Sequence, residues 1–467
     1  MSAPVTLTFT GGQHARLKAH LFPGDGKEAA AIALCSRRDG RRRNRLLVRE
    51  LQPVPYDVCT WRNADGISWP VEWMDDLLDR AAAQGWSVVK IHSHPVDYRR
   101  FSDVDDRSDT LLFPGVHALV DRPVPHASVV MLADGSMFGR TVGPAGEFLA
   151  LETIMVAGSD IDIWHHMPPV LSAKVSGVGR PTPAFGHRMT AELGRLTAAV
   201  IGASGTGSIV IEQLARLGFG RLTLVDPETV LRKNLNRVIN ASWRDAEDLV
   251  SKVVVAARAI AAMHLGATVE PHACNLVTRS AIEAVAEADI IFGCVDSAEA
   301  RDVLNRISTH YLIPYIDVGV RIGALADGTI DRIDGVVHYI EPGGSSLLAR
   351  EAYRPEQVGA DALRRRNPAL YAARVREKYI TGVDEEAPAV ISVNMTMAAM
   401  AVDEFLARLY RTRNRPNRDF AITRVNRAEM EIETVPESEP CRIFGPTVGA
   451  GDVSPPLGLP ELSATPC

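Results

Sequence analysis

A glycine-rich stretch near the middle of the chain constrains the fold more than any other feature. Residues 198–207 read AAVIGASGTG, and an apolar-periodic run, SIVIEQLARLGFG, follows. This order predicts a strand, a tight turn at Gly202 and a helix. Gly205 and Gly207 are expected to keep side chains away from a phosphate at the helix N-terminus. The next predicted strand, RLTLV, ends at Asp226, a position suited to binding ribose hydroxyls. The stretch therefore predicts an α/β domain that binds a nucleotide.

Length and charge limit the classes of protein that remain. A chain of 467 residues has room for two or three domains, and its net charge of −6 is spread over both signs. Such a balance predicts neither a nucleic-acid surface nor a membrane-binding face. The six cysteines lack Cys-x-x-Cys pairs, and no apolar leader precedes the first domain. The longest apolar run, residues 387–406, contains Asn394, Asp403 and Glu404, which favours a buried helix over a membrane span. We expect a cytoplasmic protein that binds neither nucleic acid nor membrane.

The first 150 residues contain strand-like segments and one helix. VTLTF, ARLKAHLF and RLLVREL are predicted strands, and residues 71–85 form a predicted helix. The strand WSVVKI then leads to His92-Ser-His94-Pro, six further residues and Ser102-Asp-Val-Asp105. Two histidines two positions apart on a strand share one face. Together with Asp105 they form a two-imidazole, one-carboxylate set, typical of an open, catalytic zinc site. Two surface histidines beside a polar loop are the alternative.

This string resembles the signature of the JAMM (JAB/MPN) metallopeptidases, which is HxHP, six residues, then SxxD. The resemblance implies an α+β zinc-hydrolase domain over residues 1–150. It places zinc on His92, His94 and Asp105 and assigns oxyanion stabilisation to Ser102.

The resemblance also implies an upstream glutamate that acts as general base. In the family this glutamate opens a short apolar segment. Glu28, in KEAAAIALC, fits that context better than Glu50, in LLVRELQ, and both remain candidates.

Residues 151–178 show no sustained pattern and are predicted to be a linker. Residues 179–441 resemble the ThiF/MoeB/HesA group, relatives of ubiquitin-activating enzymes. The glycine turn is followed by an acidic residue, an Asn-Leu-x-Arg string, a lysine, and an aspartate before an Ala-Arg-x-x-Leu-Asn helix. The matching positions are Asp226, Asn234, Arg237, Lys252 and Asp296.

This second resemblance implies a Rossmann-like adenylation domain with a mixed sheet that uses ATP and Mg²⁺. Asp226 and Asn234 would bind the nucleotide together with the three glycines. Arg237 and Lys252 would bind the triphosphate, and Asp296 would hold magnesium.

Two positions near the nucleotide site differ from the family pattern. Ser204 replaces the second glycine of GxGGxG, and its backbone N–H remains available to a phosphate. An arginine before the first strand, which reaches the partner subunit's ATP in the family, corresponds to Arg180. Pro181 follows it where the family has glutamine.

The C-terminal part of the chain differs further from the ThiF/MoeB/HesA pattern. Where relatives have two Cys-x-x-Cys pairs, this chain has Ser346, Ala349, Cys441 and Phe444. A single thiolate cannot hold a structural zinc, so no four-cysteine zinc site is predicted. We expect the segment TIDRIDGVVHYI to extend the sheet as an antiparallel strand, and we predict two further strands at DFAITRV and EMEIETV. The apolar helix from residue 387 to 409 is expected at a homodimer interface. Residues 442–467 are expected to be a Pro/Gly-rich tail.

The two resemblances together imply a bifunctional enzyme. One half would adenylate the C-terminal carboxylate of a ubiquitin-like protein, and the other would process or deconjugate that protein. Such combinations resemble bacterial ubiquitin-like conjugation systems, some linked to phage defence, and a conjugating-enzyme-like protein is a possible further partner. Sulfur-carrier activation, a scaffold without adenylation activity and a NAD-dependent dehydrogenase are the alternatives. Because no cysteine lies between Cys294 and Cys441, activation is expected to stop at the adenylate.

Overall fold

The computed structural model of the chain describes residues 3–168, 186–324, 330–377 and 390–462. The chain divides into two compact units, which are described separately. The first comprises Met1–Pro168 with Thr309–Leu312 and Thr447–Ser454. The second comprises Pro169–Ser308, Ile313–Pro446 and Pro455–Cys467. Each contains a large sheet and helices, so the predicted α/β class with mixed sheets is confirmed.

The first unit is built on a nine-stranded mixed sheet of order β11-β10-β1-β3-β2-β6-β7-β8-β9, with β4 and β5 forming a separate hairpin. One sheet face packs on helix α1 and the other on α2 and α3. The strands are β1 (Val5–Thr10), β2 (Ala30–Asp39), β3 (Asn44–Pro53), β4 (Trp61–Asn63), β5 (Gly66–Ser68), β6 (Ser87–His94), β7 (His126–Leu132), β8 (Met137–Val142), β9 (Phe148–Ala150), β10 (Thr153–Ala157) and β11 (Ile161–His165), and the helices are α1 (Gly11–Leu21), α2 (Asp75–Gln84) and α3 (Asp103–Val120).

The strand predicted for ARLKAHLF is wrong, because these residues lie in helix α1. Thr10 caps that helix: its hydroxyl accepts a hydrogen bond from Gln13 N (3.1 Å), and Gln13 Oε1 accepts one from Thr10 N (2.8 Å). Leu17 and Leu21, four residues apart, are both fully buried. Apolar residues spaced by four satisfy a helix as well as an alternating strand, and the cap decides between them.

The linker predicted from residue 151 is wrong at its start, because residues 153–165 form strands β10 and β11. Strand β10 pairs in parallel with β1, and Ile154 and Val156 are buried in the sheet. Pairing between strands whose partner residues are 147 positions apart in sequence leaves no local pattern that a short window detects. Residues 169–178 of the predicted linker lie outside the described residues.

The tail predicted for residues 442–467 is also wrong for part of its length. Residues 447–454 belong to the first unit. Asp452 forms an ion pair with Arg38 (3.2 Å), and Gly449 O accepts a hydrogen bond from Ser36 Oγ (2.5 Å). A Cβ at Gly451 would lie 2.4 Å from Arg37 O. The glycines here therefore permit close approach to strand β2 instead of conferring disorder.

The second unit contains an eight-stranded sheet of order β14-β13-β12-β15-β16-β17-β18-β19. The first five strands in this order are parallel, and β17, β18 and β19 are antiparallel, as predicted for TIDRIDGVVHYI. The strands are β12 (Thr197–Ile201), β13 (Arg221–Val225), β14 (Thr268–His272), β15 (Ile290–Gly293), β16 (Tyr315–Ala324), β17 (Ile330–Ile340), β18 (Ile422–Asn426) and β19 (Glu431–Val435).

Nine helices in the described part of this region flank the sheet. They are α4 (His187–Leu193), α5 (Gly205–Leu217), α6 (Trp243–Glu247), α7 (Lys252–Met263), α8 (Arg279–Val285), α9 (Ala298–Tyr311), α10 (Pro355–Arg366), α11 (Pro368–Arg376) and α12 (Ile391–Tyr410). The predicted apolar helix corresponds to α12, whose Phe405 packs on Phe219 and Phe292 with ring centroids 5.6 and 6.3 Å away. Residues 387–389 lie outside the described residues. None of the described helices is long and apolar enough to cross a bilayer.

The order of the parallel strands creates a switch point. From β12 the chain proceeds outward through β13 and β14, and it then returns to add β15 and β16 on the other side of β12. Ligands of open α/β sheets bind at the carboxyl ends of the strands at such a point. The glycine-rich turn at residues 202–207 follows β12 and therefore lies at this position.

Candidate functional site

Three predicted metal ligands converge in the first unit. His92 and His94 lie at the end of β6, and Asp105 lies in the first turn of α3. The two Nε2 atoms are 3.2 Å apart, His92 Nε2 lies 2.9 Å from Asp105 Oδ1, and His94 Nε2 lies 3.4 Å from Asp105 Oδ2. Ligands about 2.0 Å from a tetrahedral zinc are separated by about 3.3 Å. All three residues are buried, and the donor set fits three ligands of an open zinc site.

The residues around these ligands fix their orientation. His94 Nδ1 lies 2.8 Å from Tyr98 O, and donation to this carbonyl leaves the Nε2 lone pair free to face the site. Ser102 caps α3, and its Oγ and backbone N both donate to Asp105 Oδ2 at 2.7 Å. His92 Nδ1 is buried without a hydrogen-bond partner among the described residues. Ser102 therefore positions the carboxylate in addition to lining the site.

The charges of His92 and Asp105 match this geometry. Burial lowers the pKa of His92 and keeps its ring neutral. Burial also opposes ionisation of Asp105, but the neighbouring imidazoles of His92 and His94 outweigh this effect and hold the pKa of Asp105 well below its usual range. A neutral imidazole beside an ionised carboxylate is the state in which both bind a metal.

The structure distinguishes the two candidate bases. Glu28 precedes β2, where Ala30 pairs with His92, and Ala29 N donates to Ser93 Oγ (2.9 Å). The Glu28 side chain is buried, and burial raises its pKa to about 8. Glu50 instead forms an ion pair with Arg80 (3.2 Å), and its side chain is 40% exposed. Glu28 is therefore the glutamate placed beside the histidines.

Sequence reasoning did not find the residues that hold Glu28 in place. Arg62, in strand β4, donates from Nε to Glu28 O (3.0 Å), and Glu28 N donates to Asn63 O (2.7 Å). Arg62 also forms an ion pair with Asp25 (2.7 Å) and lies over the Tyr56 ring at 4.3 Å. Arg62 and Asn63 lie more than 30 residues after Glu28, so the sequence carries no spacing signal for these contacts.

A second group missed by the sequence analysis is a buried charge cluster behind the histidines. Lys90 shares the β6 face with His92 and His94 and forms an ion pair with the fully buried Asp109. Arg140 donates to Asp109 Oδ2 at 2.7 Å. The spacing could have revealed it, because Lys90 lies two residues before His92 on the strand and Asp109 one helical turn after Asp105.

The glycine turn of the second unit requires glycine for packing. Gly202 has a φ of 88°, and a Cβ there would lie 2.4 Å from Cys294 O. At Gly207 a Cβ would lie 1.7 Å from Gly202 O, and at Gly205 it would lie 2.3 Å from Asn394 Nδ2. Close contacts with the chain itself therefore exclude a side chain at Gly205 and Gly207, and the predicted role of these glycines at a phosphate stays a prediction. Gly207 in particular lets α5 pack against the turn.

Asp226 stabilises the same turn from the end of β13. Its Oδ2 accepts a hydrogen bond from Ala203 N (2.7 Å), and its Oδ1 accepts one from Glu228 N (2.8 Å). Burial raises the pKa of Asp226. The carboxylate therefore shapes the loop that a nucleotide would meet, and its oxygens retain lone pairs for ribose hydroxyls.

The ammonium group of Lys252 lies beside the glycine turn. It begins helix α7, its side chain is 1% exposed, and its Nζ lies 3.5 Å from Ser204 Oγ. The ammonium also forms an ion pair with Glu228, whose side chain is 68% exposed. A buried lysine beside backbone N–H groups of a glycine turn is suited to binding phosphate.

The structure describes three further predicted nucleotide ligands, Arg237, Asn234 and Asp296. The side chain of Arg237 reaches Gly205, with Cδ 3.3 Å from the position of an added Cβ. Asn234 is buried and accepts a hydrogen bond from Leu231 N (3.0 Å), so it shapes the loop that carries Arg237. Asp296 is exposed and follows strand β15. Arg180 lies outside the described residues.

Next to Asp296 lies a buried ionic group that the sequence analysis did not assign. Arg301 Nε and Tyr315 OH both donate to Asp317 Oδ1, at 3.2 and 2.7 Å. Asp317 raises the pKa of Arg301, and Asp296 adds to this effect. Arg301 is the arginine of the Ala-Arg-x-x-Leu-Asn string, so the motif itself was the available signal.

The positions of the lost cysteine pairs are partly in contact. Cys441 is buried, and Ser346 Oγ donates to its Sγ at 3.1 Å. Phe444 is buried beneath the guanidinium of Arg306, 5.6 Å from the ring centroid. The hydrogen bond between Ser346 and Cys441 therefore joins the two segments that zinc ligands would join, whereas Phe444 packs on helix α9.

A doubly wound sheet with a glycine turn at its switch point and a buried lysine beside that turn defines a nucleotide-binding α/β protein. The sequence profile of the ThiF family matches residues 179–442, more than half of the chain. The chain belongs to the ThiF family. The family assignment and the Rossmann-like fold predicted for this region are thereby confirmed.

Individual relatives match a smaller part of the chain. The chain is 28% identical over 165 residues to ubiquitin-like modifier-activating enzyme 5 of Drosophila willistoni. This match covers 33% of the chain and 38% of that protein. The chain is 28% identical over 164 residues to the enzyme of that name from Caenorhabditis elegans, covering 33% and 36%. The matched region thus spans little more than a third of these relatives.

Solved structures are similar at a lower level. A crystal structure of E. coli MccB with MccA-N7isoASN shows 18% identity and a TM-score of 0.42, covering 56% of this chain and 71% of that one. E. coli MccB with ATP shows 18% identity and a TM-score of 0.40, covering 54% and 67%. Structural similarity of this size does not assign a ligand or an activity.

Proposed function

We propose that the chain activates the C-terminal carboxylate of a small ubiquitin-like or sulfur-carrier protein and also hydrolyses bonds at that terminus. Activation would use ATP and Mg²⁺ at the glycine turn of the second unit. Hydrolysis of a peptide or isopeptide bond would use zinc at His92, His94 and Asp105. The observation that carries the activating half is Lys252, buried beside the glycine turn of a ThiF-family domain.

The residues of the second unit suit adenylation. The partner's carboxylate oxygen attacks the α-phosphorus of ATP, a P–O bond to the β-phosphate breaks, and pyrophosphate leaves. Lys252 and Arg237 stabilise the charge that develops on the leaving group, and the N-terminus of α5 binds phosphate oxygens. Mg²⁺, when bound at Asp296, supplies further neutralisation of the triphosphate.

The residues of the first unit suit hydrolysis. Zinc, when bound, supplies a Lewis acid that activates water and polarises the carbonyl. Glu28 accepts a proton from the attacking water and passes it to the leaving amine. Ser102 would stabilise the oxyanion once its hydroxyl turns from Asp105 to the substrate. The convergence of three buried ligands beside a buried glutamate supports this half.

Both halves are tested with one candidate partner, a small ubiquitin-like protein that ends in Gly-Gly. Adding it to the chain with ATP and Mg²⁺ is expected to start ATP–pyrophosphate exchange, and zinc is expected at one per chain. Absence of exchange with a folded partner would reject the adenylation proposal. A zinc-free chain that still cleaves a partner fusion would reject the metallopeptidase proposal.

Two of the three alternatives fit the site less well. Sulfur-carrier activation uses the same adenylation chemistry and is distinguished by the partner. A scaffold without adenylation activity has no need of a buried, ion-paired lysine at the glycine turn, where burying a charge costs free energy. Membership of the ThiF family argues against the NAD-dependent dehydrogenase.

We predict that activation stops at the adenylate, without a thioester on this chain. Burial raises the pKa of Cys294, with a contribution from Asp317, and Cys441 is buried beside Ser346. Thiols in such surroundings are poor nucleophiles. The partner incubated with the chain, ATP and Mg²⁺ should give no reductant-sensitive adduct on gels. The accepting thiol would then belong to a separate, conjugating-enzyme-like protein.

An adduct that disappears in Cys441→Ala or Cys467→Ala would contradict this prediction and make the C-terminal segment catalytic. Cys467 lies outside the described residues. Cys59, which is in the first unit, provides the matched control, because Cys59→Ala should leave the gel pattern unchanged.

We further propose a homodimer formed through the ThiF-family domain. The apolar helix α12 and the family role of Arg180 at a partner subunit's ATP motivate this proposal, and Met395 on α12 is 44% exposed. Light scattering should give twice the chain mass of 50.7 kDa. A mass of one chain at every concentration would contradict it.

A further inference from the structure

Helix α10 places a carboxylate on the first turn of helix α9. Asp361 Oδ2 accepts hydrogen bonds from Ala298 N (2.7 Å), Ser297 Oγ (3.1 Å) and Glu299 N (3.3 Å). The first N–H groups of a helix have no partner within the helix. Here an acceptor comes from a residue more than sixty positions away, so Asp361 acts as a cap supplied by another helix.

A second contact holds the same two helices together. Arg365, one turn after Asp361, donates to both carboxylate oxygens of Glu299, with Nη2 at 2.7 Å and Nε at 2.9 Å. Helix α10 contributes no buried residue. The position of α10 on α9 therefore depends strongly on polar contacts. Asp361 and Arg365, one helical turn apart, make two of them.

The capped turn immediately follows Asp296. Ser297 is fixed twice, because its Oγ donates to Asp361 and accepts from Ala300 N (3.2 Å). Asp296 itself is exposed at the end of β15. The backbone that carries this proposed magnesium ligand is thus fixed on its C-terminal side by Asp361.

The charge of Asp361 has a second effect. The N-terminus of a helix carries partial positive charge, which repels a cation. An anionic cap on α9 offsets that charge next to Asp296. A cation at Asp296 therefore meets a less unfavourable field than an uncapped helix would produce.

We propose that Asp361 is a positioning residue for the Mg²⁺ that accompanies ATP, acting through the Ser297 turn on Asp296. This inference rests on the proposed adenylation function. Residues that orient a metal ligand affect metal affinity by about 10- to 100-fold. Arg365 supplies the comparison, because it anchors the same helix without touching the backbone of the turn.

The test measures ATP affinity by calorimetry, once with Mg²⁺ and once with a chelator, for the full chain and its variants. The ratio of the two affinities reports the Mg²⁺-dependent gain and requires no turnover. Asp361→Ala should reduce this ratio about 10-fold, and Asp361→Asn, which keeps an acceptor oxygen, should reduce it less. Arg365→Gln should leave the ratio at the wild-type value. Thermal unfolding of each variant checks that the fold is retained.

The outcomes separate the two proposals. An unchanged ratio in folded Asp361→Ala or Asp361→Asn would overturn the role of Asp361 while the adenylation proposal stands. An equal loss in Arg365→Gln would also overturn it, because docking of α10 would then be the cause. A wild-type chain that binds no ATP would overturn the adenylation proposal, and this inference with it.

Discussion

Glu28→Gln is expected to leave zinc bound at wild-type stoichiometry and to lower hydrolysis of a partner fusion by at least about 100-fold. The amide has nearly the shape of the carboxyl group but cannot accept the proton of the attacking water. Zinc should remain because its predicted ligands are His92, His94 and Asp105, whose donor atoms converge without Glu28. Metal analysis and cleavage rates of the same preparation provide the two measurements.

Glu50→Gln is the matched control. Glu50 lies on β3 and pairs with Arg80, so its replacement should change neither zinc content nor cleavage. Loss of zinc in Glu28→Gln would mean that Glu28 is a ligand. Wild-type cleavage by Glu28→Gln would show that another group is the base.

Lys252→Ala is expected to lower partner-dependent ATP–pyrophosphate exchange by about 100- to 1,000-fold, the usual effect of removing one strong group that stabilises transition-state charge. The ammonium at Ser204 is buried and preorganised, so water would replace it poorly. The fold should survive, because the partner left behind, Glu228, is largely exposed and can be hydrated. Exchange rates at saturating ATP and partner provide the measurement.

The control here is Lys233→Ala. Lys233 is an exposed lysine in the loop that carries Arg237, so its removal changes the net charge equally without emptying the glycine turn. Its exchange rate should stay near wild type. A similar loss in both variants would indicate general electrostatic attraction of ATP, and full exchange in Lys252→Ala would remove the lysine from the mechanism.

Features determined by short-range spacing could be predicted from the sequence. The strand, turn and helix at residues 197–217 follow from glycine positions and apolar periodicity. The meeting of His92, His94 and Asp105 follows from strand alternation and from a capped helix that starts at a fixed distance. In these cases the local geometry of the strand or helix sets the relative positions of the side chains, without contributions from distant segments.

Features that depend on distant contacts could not be predicted. Three contacts join segments that are far apart in sequence. They are the pairing of β10 with β1, the hydrogen bond from Arg62 to Glu28 O and the capping of α9 by Asp361. Helix α1 was missed for another reason, since Leu17 and Leu21 fit both periodicities and only the Thr10 cap separates them. The contacts that exclude a side chain at Gly205 and Gly207 come from the folded chain itself and could not be predicted either.

We propose that one chain exposes and then activates the same carboxyl terminus. Both steps are measured together by the intact mass of a partner extended beyond Gly-Gly, incubated with the chain, zinc, ATP, Mg²⁺ and pyrophosphatase. We expect the wild-type chain to convert this partner to the trimmed protein carrying AMP, whereas Glu28→Gln should leave it extended and free of AMP. A partner whose mass the wild-type chain leaves unchanged, or one adenylated while still extended, would contradict the proposed function.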